Sequence, residues 1–96
     1  MTNYALSPAA EADIDGIWDY TAEHWSADQA ERYTLDIRDA CRDLAEGRKL
    51  GRPVTVRQGY LKYRVESHVI YYRIEDAELI VMRILHTKMD AERYLN

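Results

Sequence analysis

The 96-residue sequence has a single cysteine, Cys41. One thiol excludes an internal disulfide and suits a reducing cytoplasm. No Cys-x-x-Cys or His-x-x-x-His spacing occurs, and the three histidines stand apart at 24, 68 and 86, so no zinc site and no other metal site is expected. No apolar run approaches the roughly 18–20 residues that a membrane span needs. The opening MTNYALSPAAEAD lacks a basic segment followed by an apolar one, so no secretory signal is expected. Repeats, low-complexity tracts and linkers are also missing, which predicts one domain over residues 1–96. What is present, 31% charged and 47% hydrophobic residues, belongs to a globular protein rather than a disordered one.

The net charge of −4 conceals a polarised distribution. Residues 1–47 carry three Lys/Arg against eleven Asp/Glu, and residues 74–96 carry three against five. Residues 48–73 carry seven Lys/Arg and one acid, Glu66. A basic strip of this kind attracts nucleic acid or an acidic protein segment.

Asn3-Tyr4-Ala5-Leu6 is a short strand candidate. Ser7 followed by Pro8 reads as an N-cap and first helical residue, with Glu11, Asp13 and Asp15 complementing the helix dipole. Ile14, Ile17, Trp18, Thr21 and Trp25 recur at helical spacing, which predicts a helix over 8–24. Ser26 and Gln29 form a capping box for a second helix with an apolar face of Ala30, Tyr33, Ile37, Ala40, Cys41 and Leu44, stopping at Gly47. The short join at 24–28 makes the pair an antiparallel hairpin, with Trp18, Trp25 and Tyr33 expected in its core. After the basic loop at 48–53 come four β-rich runs, VTVRQ, LKYRVES, HVIYYRI and LIVMRILH, joined by short turns that predict an antiparallel meander. The order is β-α-α-β-β-β, an α+β fold of a helical hairpin packed on an antiparallel sheet.

Strand alternation sorts the side chains into two faces. Ile70, Tyr72 and Ile74, with Ile80, Met82 and Ile84, are expected against the helices. The second face then carries Lys62, Arg64, Arg73 and Arg83 around Tyr71, Val81 and Leu85: an apolar floor with arginine posts, the pattern of a binding face. A one-residue bulge in any strand reverses its sorting.

Taken together, LSPAAEADIDGIWDYTAEHWSADQAERY, GRPV, RVESHVIYYRI and RILHTKMD resemble the ParE toxins of the RelE/ParE superfamily over residues 6–95. One departure is Ser26, which stands where a glycine often follows the tryptophan; the capping box explains its use. The resemblance implies the toxin of a type II toxin–antitoxin system. It further implies neutralisation by a ParD-type antitoxin in a heterotetramer or larger complex, and DNA gyrase as the target. Operator DNA is expected to be reached only through the antitoxin, because both helices have acidic exteriors that repel phosphate. Neither a cofactor nor a membrane is called for.

RelE relatives instead cut messenger RNA on the ribosome, without metal, using a base, an acid and cations. Here Arg64 matches that pattern and Tyr94 is the candidate for its late tyrosine, but His68 replaces an arginine before Val69-Ile70-Tyr71, and Thr87 then Lys88 follow His86 where the RelE type has arginine. His86 is expected as a strand-end residue and His68 as an exposed turn residue. No catalytic residue is therefore assigned, and the nuclease stands as the alternative. The expected antitoxin-binding residues are Arg64, Tyr71, Arg73, Val81, Arg83 and Leu85. Residues 87–96 are expected to form a short helical tail that binds the target, through Lys88, Met89, Asp90, Arg93, Tyr94 and Leu95.

Overall fold

Two serines start the two long helices of the computed structural model, which describes residues 4–95. The Ser7 hydroxyl oxygen accepts the Ala10 N–H at 3.0 Å, and α1 runs over Pro8–His24. Ser26 accepts the Gln29 N–H at 3.0 Å and starts α2, Ala27–Ala45. Past the end of α2, Gly47 takes φ +79°, and its N–H donates to Leu44 O at 3.2 Å, closing the helix in a left-handed conformation that only glycine adopts without strain. The hairpin buries Ala10, Ile14, Ile17 and Thr21 of α1 and Ala30, Thr34, Ile37, Ala40, Cys41 and Leu44 of α2. Tyr33 packs against the edge of this core. Trp25, expected inside it, is 70% exposed: it caps α1, where the backbone leaves the helix and turns the ring away from the stripe.

The strands are β1 (Tyr4–Leu6), β2 (Arg52–Pro53), β3 (Leu61–Val65), β4 (His68–Glu75) and β5 (Glu78–His86), in the sheet order β1-β5-β4-β3-β2. A short helix, α3 (Ala91–Tyr94), follows. The expected meander stands: β3, β4 and β5 pair antiparallel. β1 adds itself parallel to β5, through Tyr4↔Leu79 to Leu6↔Val81, so the whole sheet is mixed. The helical hairpin carries the chain from β1 to the far edge at β2, and three antiparallel steps back across the sheet bring β5 beside β1 in the same direction. Asn3, expected in the first strand, and Asn96, expected in the tail, lie outside the described residues.

The run VTVRQ at 54–58 is not a strand. Only Arg52–Pro53 pairs with β3, after which the Val54 N–H reaches Tyr60 O at 2.9 Å and the intervening residues turn. Val54 and Tyr60 are buried instead, on the sheet face away from the helices.

The face sorting holds for β3 and β4 but fails in half of β5. Tyr72 pairs with Val81 and Tyr71 with Arg83, which leaves Met82 as an extra residue in a bulge. Upstream of it the parity is reversed. Leu79 and Val81 join Ile70, Tyr72 and Ile84 under the helices, while Ile80 and Met82 turn to the second face. Val81 is therefore a core residue, fully buried, and not part of a docking floor. The bulge is anchored by Ser7, whose N–H donates to Val81 O at 2.9 Å and whose hydroxyl donates to Met82 O at 2.7 Å. Ile74 keeps the helix-side parity but is 54% exposed near the β4–β5 turn.

Candidate functional site

The second face of the sheet has an apolar floor, as its alternation predicts, and much of that floor is already covered. Tyr71 and Leu85 form a small second core with Val54, Tyr60 and Leu95, flanked by Val69, Met82 and Ala91. The cover is thin: the turn over residues 54–60 and the C-terminal segment around α3. Leu95 is 2% exposed, so the tail docks on the sheet by inserting this one side chain. Four helical residues cannot hold a helix by themselves, and Asp90 helps by accepting the Glu92 N–H at 3.1 Å as N-cap.

Beside this cover a groove of about 510 Å³ stays open, lined by Leu50, Arg52, Lys62, Tyr63, Arg64, Val69, Tyr71 and Thr87. The strand register puts Lys62 opposite Tyr71 and Arg64 opposite Val69. Arg52, Lys62 and Arg64 make no ion pair among the described residues; Arg64 only donates its Nε–H to the backbone oxygen of Glu66 at 2.7 Å. Three cations without carboxylate partners around apolar side chains present an unmet positive charge.

The other two posts are partly occupied. Arg73 lies 3.0 Å from Glu75 and 5.6 Å from the Tyr60 ring centre, and both members of its ion pair remain open to solvent. Arg83 grips Asp13 of α1 with two hydrogen bonds of 2.8 and 2.9 Å. The same carboxylate accepts the Ile84 N–H at 2.8 Å, and the Arg83 guanidinium lies 5.5 Å from the Tyr94 ring centre. The hydrogen bond to Asp13 raises the Arg83 pKa further. Arg83 is thus engaged within the chain, tying α1, β5 and α3 together. Nothing in the sequence pairs Asp13 with a residue 70 positions away, although its place beside Ile14 at the edge of the buried stripe is the one available signal.

The tail divides. Tyr94 and Leu95 lie by Tyr60, Met82 and Arg83 on the second face, whereas Met89 lies in a cleft with Tyr20, His68 and His86. Lys88, Asp90 and Arg93 are exposed.

His68 is not an exposed turn residue. It opens β4, and its Nδ1 shares a 2.7 Å hydrogen bond with the Tyr33 hydroxyl. Burial, helped by the nearby His86, presses its pKa down to about 4, so the ring is neutral at pH 7. His86 ends β5 as expected; its Nδ1 accepts the Lys88 N–H at 3.1 Å, and its ring meets His68 edge-on at 5.2 Å. The groups of a metal-independent nuclease are dispersed: the histidines line a cleft under the helical hairpin, Arg64 the groove, and Tyr94 a third hollow. Burial pushes the Cys41 thiol up to about 12, which makes it a packing residue rather than a nucleophile. Among the described residues no group of three or more His, Cys, Asp or Glu side chains could hold a metal, and no helix is long and apolar enough to cross a membrane.

Residues 4–91 match the family described as the ParE toxin of type II toxin–antitoxin system, parDE. Toxin ParE1 of Mycobacterium tuberculosis (strain H37Rv) is 38% identical over 96 residues, covering 98% of each chain. Toxin ParE1 of Caulobacter vibrioides is 34% identical over 96 residues, covering 99% of each. Toxin ParE of Escherichia coli is 34% identical over 92 residues, covering 94% of this chain and 89% of its own. Among solved structures, a chain of the chromosomal ParDE system of P. aeruginosa superposes with a TM-score of 0.81 at 22% identity, covering 92% of this chain and 98% of that one. A chain of the RelBE2 toxin–antitoxin complex of Mycobacterium tuberculosis gives 0.66 at 18%, covering 88% and 96%, which shows the shared fold.

Proposed function

The chain belongs to the ParE toxin family of type II toxin–antitoxin systems, and from that premise we propose that it is held by a ParD-type antitoxin and, once free, inhibits DNA gyrase by binding, without chemistry of its own. The observation that carries this reading is the second sheet face, an apolar floor rimmed by Arg52, Lys62, Arg64 and Arg73. An extended acidic and apolar segment of an antitoxin fits it: carboxylates meet the free cations, and apolar side chains extend the small core of Tyr71 and Leu85. The complex is a heterotetramer or larger in the cytoplasm, and operator DNA is reached through the antitoxin. Target binding falls to the tail with Lys88, Met89, Asp90, Arg93 and Tyr94; Leu95 acts as its anchor. Dispersal of Arg64, His68, His86 and Tyr94 among separate clefts supports the non-enzymatic reading over the ribonuclease one.

The test uses purified gyrase on relaxed plasmid. Full-length protein should block supercoiling in proportion to its amount, and cognate antitoxin should reverse the block. Messenger RNA in a translating extract should acquire no new cuts. Codon-linked cuts lost in Arg64→Ala would replace this reading with the nuclease.

A further inference from the structure

One cleft is used neither by the core nor by the basic groove. Where the α1–α2 hairpin meets the ends of β4 and β5, a hollow of about 270 Å³ is lined by Tyr20, Trp25, Tyr33, Glu66, His68 and His86. Its mouth is aromatic and open: Tyr20 is 58% and Trp25 70% exposed. Tyr20 is braced by stacking on His24 at 3.9 Å between ring centres, and Tyr33 is fixed by its hydrogen bond to His68. The one Asp, Glu, Lys or Arg side chain in its lining is acidic, Glu66. α1 carries no lysine or arginine, while Asp19 and Glu23 of α1 and Asp28 of α2 are exposed, and Glu66 has no ion-pair partner among the described residues. His68 is neutral at pH 7 and does not offset these carboxylates. Aromatic faces with acidic neighbours attract a cation, and guanidinium adds flat stacking to that attraction. The volume falls below the roughly 300–1,000 Å³ of small-molecule sites and fits a single side chain.

We infer that this cleft receives an arginine side chain of the toxin's target protein, held between Tyr20 and Trp25 with Glu66 as counter-charge. The inference rests on the proposed docking function and adds to it the chemistry of the target's contact. The antitoxin segment suited to the cation-rimmed groove is acidic, and residues 8–31 repel it, so the arginine comes from the other partner. The cleft is also continuous with the tail, since Met89 shares Tyr20, His68 and His86 with it in the adjoining hollow. Target recognition thus spans the tail and the hairpin end.

The experiment has two arms. In the first, N-acetyl-arginine amide is titrated into the labelled full-length protein, with N-acetyl-citrulline amide as its neutral isostere. The indole N–H resonance of Trp25 should shift saturably with arginine and not with citrulline. That of Trp18, engaged with Glu31 at 3.1 Å, should stay still. Equal shifts with both probes, or no shift, overturn the cleft as a cation site. In the second arm, Trp25→Ala and Glu66→Gln are expressed without antitoxin. Both positions are exposed, so melting temperature should hold, and antitoxin affinity should stay within about twofold; the dose needed for growth arrest should rise about tenfold or more. Growth arrest at the wild-type dose in folded variants overturns the inference. Growth arrest does not depend on which protein is the target, so a failure to inhibit gyrase counts against the proposed target and leaves this arm decisive.

Discussion

The two faces of the sheet are sealed to very different depths. On one, helices of 17 and 19 residues bring continuous apolar stripes onto Ile70, Tyr72, Val81 and Ile84. On the other, the turn over 54–60 and a four-residue helix cover Tyr71 and Leu85 through three side chains, Val54, Tyr60 and Leu95. The first face holds the fold, because removing any part of it opens a closed core. The second is closed by much less apolar area, which is what the proposed antitoxin segment would supplement or displace. Arg52, Lys62 and Arg64, without ion pairs among the described residues, stand at the rim of the second face, and the long helices over the first carry an excess of acidic residues.

The comparison can be broken by truncating one anchor on each side. Ile37→Ala leaves a cavity in the fully buried helix-side core and should cost about 3–4 kcal/mol in urea unfolding. Leu95→Ala should cost about 1–2 kcal/mol, since the short segment above it can collapse or lift away. Equal costs would mean that both faces belong to one closed core.

A smaller effect tests the clamp between the faces. Arg83→Ala strands the Asp13 carboxylate, which is only 15% exposed, and should destabilise by about 2 kcal/mol. Asp13→Asn with Arg83→Met should recover part of that loss in a double-mutant cycle. If Arg83→Ala leaves stability unchanged but weakens antitoxin binding, Arg83 is a docking post after all.

The smallest effect sharpens the helix side through pH. Folding lowers the His68 pKa from 6.5 to about 4, so between those values the unfolded chain binds a proton that the folded one refuses. Stability from this group is therefore complete above pH 6.5 and is lost as pH falls towards 4. Allowing for the ring's partial exposure, the loss amounts to about 1–2 kcal/mol. Urea midpoints across that window should slope upward with pH, and His68→Gln should flatten the slope; an unchanged slope would detach His68 from the Tyr33 contact.

Both helices were legible in the sequence because their caps and stripes are local, and Ser7, Ser26 and Gly47 act where their types suggest. The bulge at Met82 was not. Leu79 to Met82 are all apolar, so no polar residue marks which of them faces out, and the parity is set by Ser7, distant in sequence. VTVRQ alternates like a strand, but Val54 and Tyr60 close a turn and bury on the second face instead of extending the pairing. Arg64 and Arg73 could be placed at the rim from alternation alone. The commitment of Arg83 to Asp13 could not, since a long-range ion pair leaves no periodic trace. Trp25 misled for the opposite reason: it keeps helical spacing with Trp18 but lies just past the helix end.

The measurement that tests the central claim most directly is hydrogen exchange of the full-length protein with and without its cognate antitoxin. The account predicts new protection in residues 52–65 and 87–95, around the cation-rimmed groove and the thin cover, with little change along the outer faces of α1 and α2. Protection confined to those helices, with residues 52–65 and 87–95 exchanging as in the free protein, would contradict it.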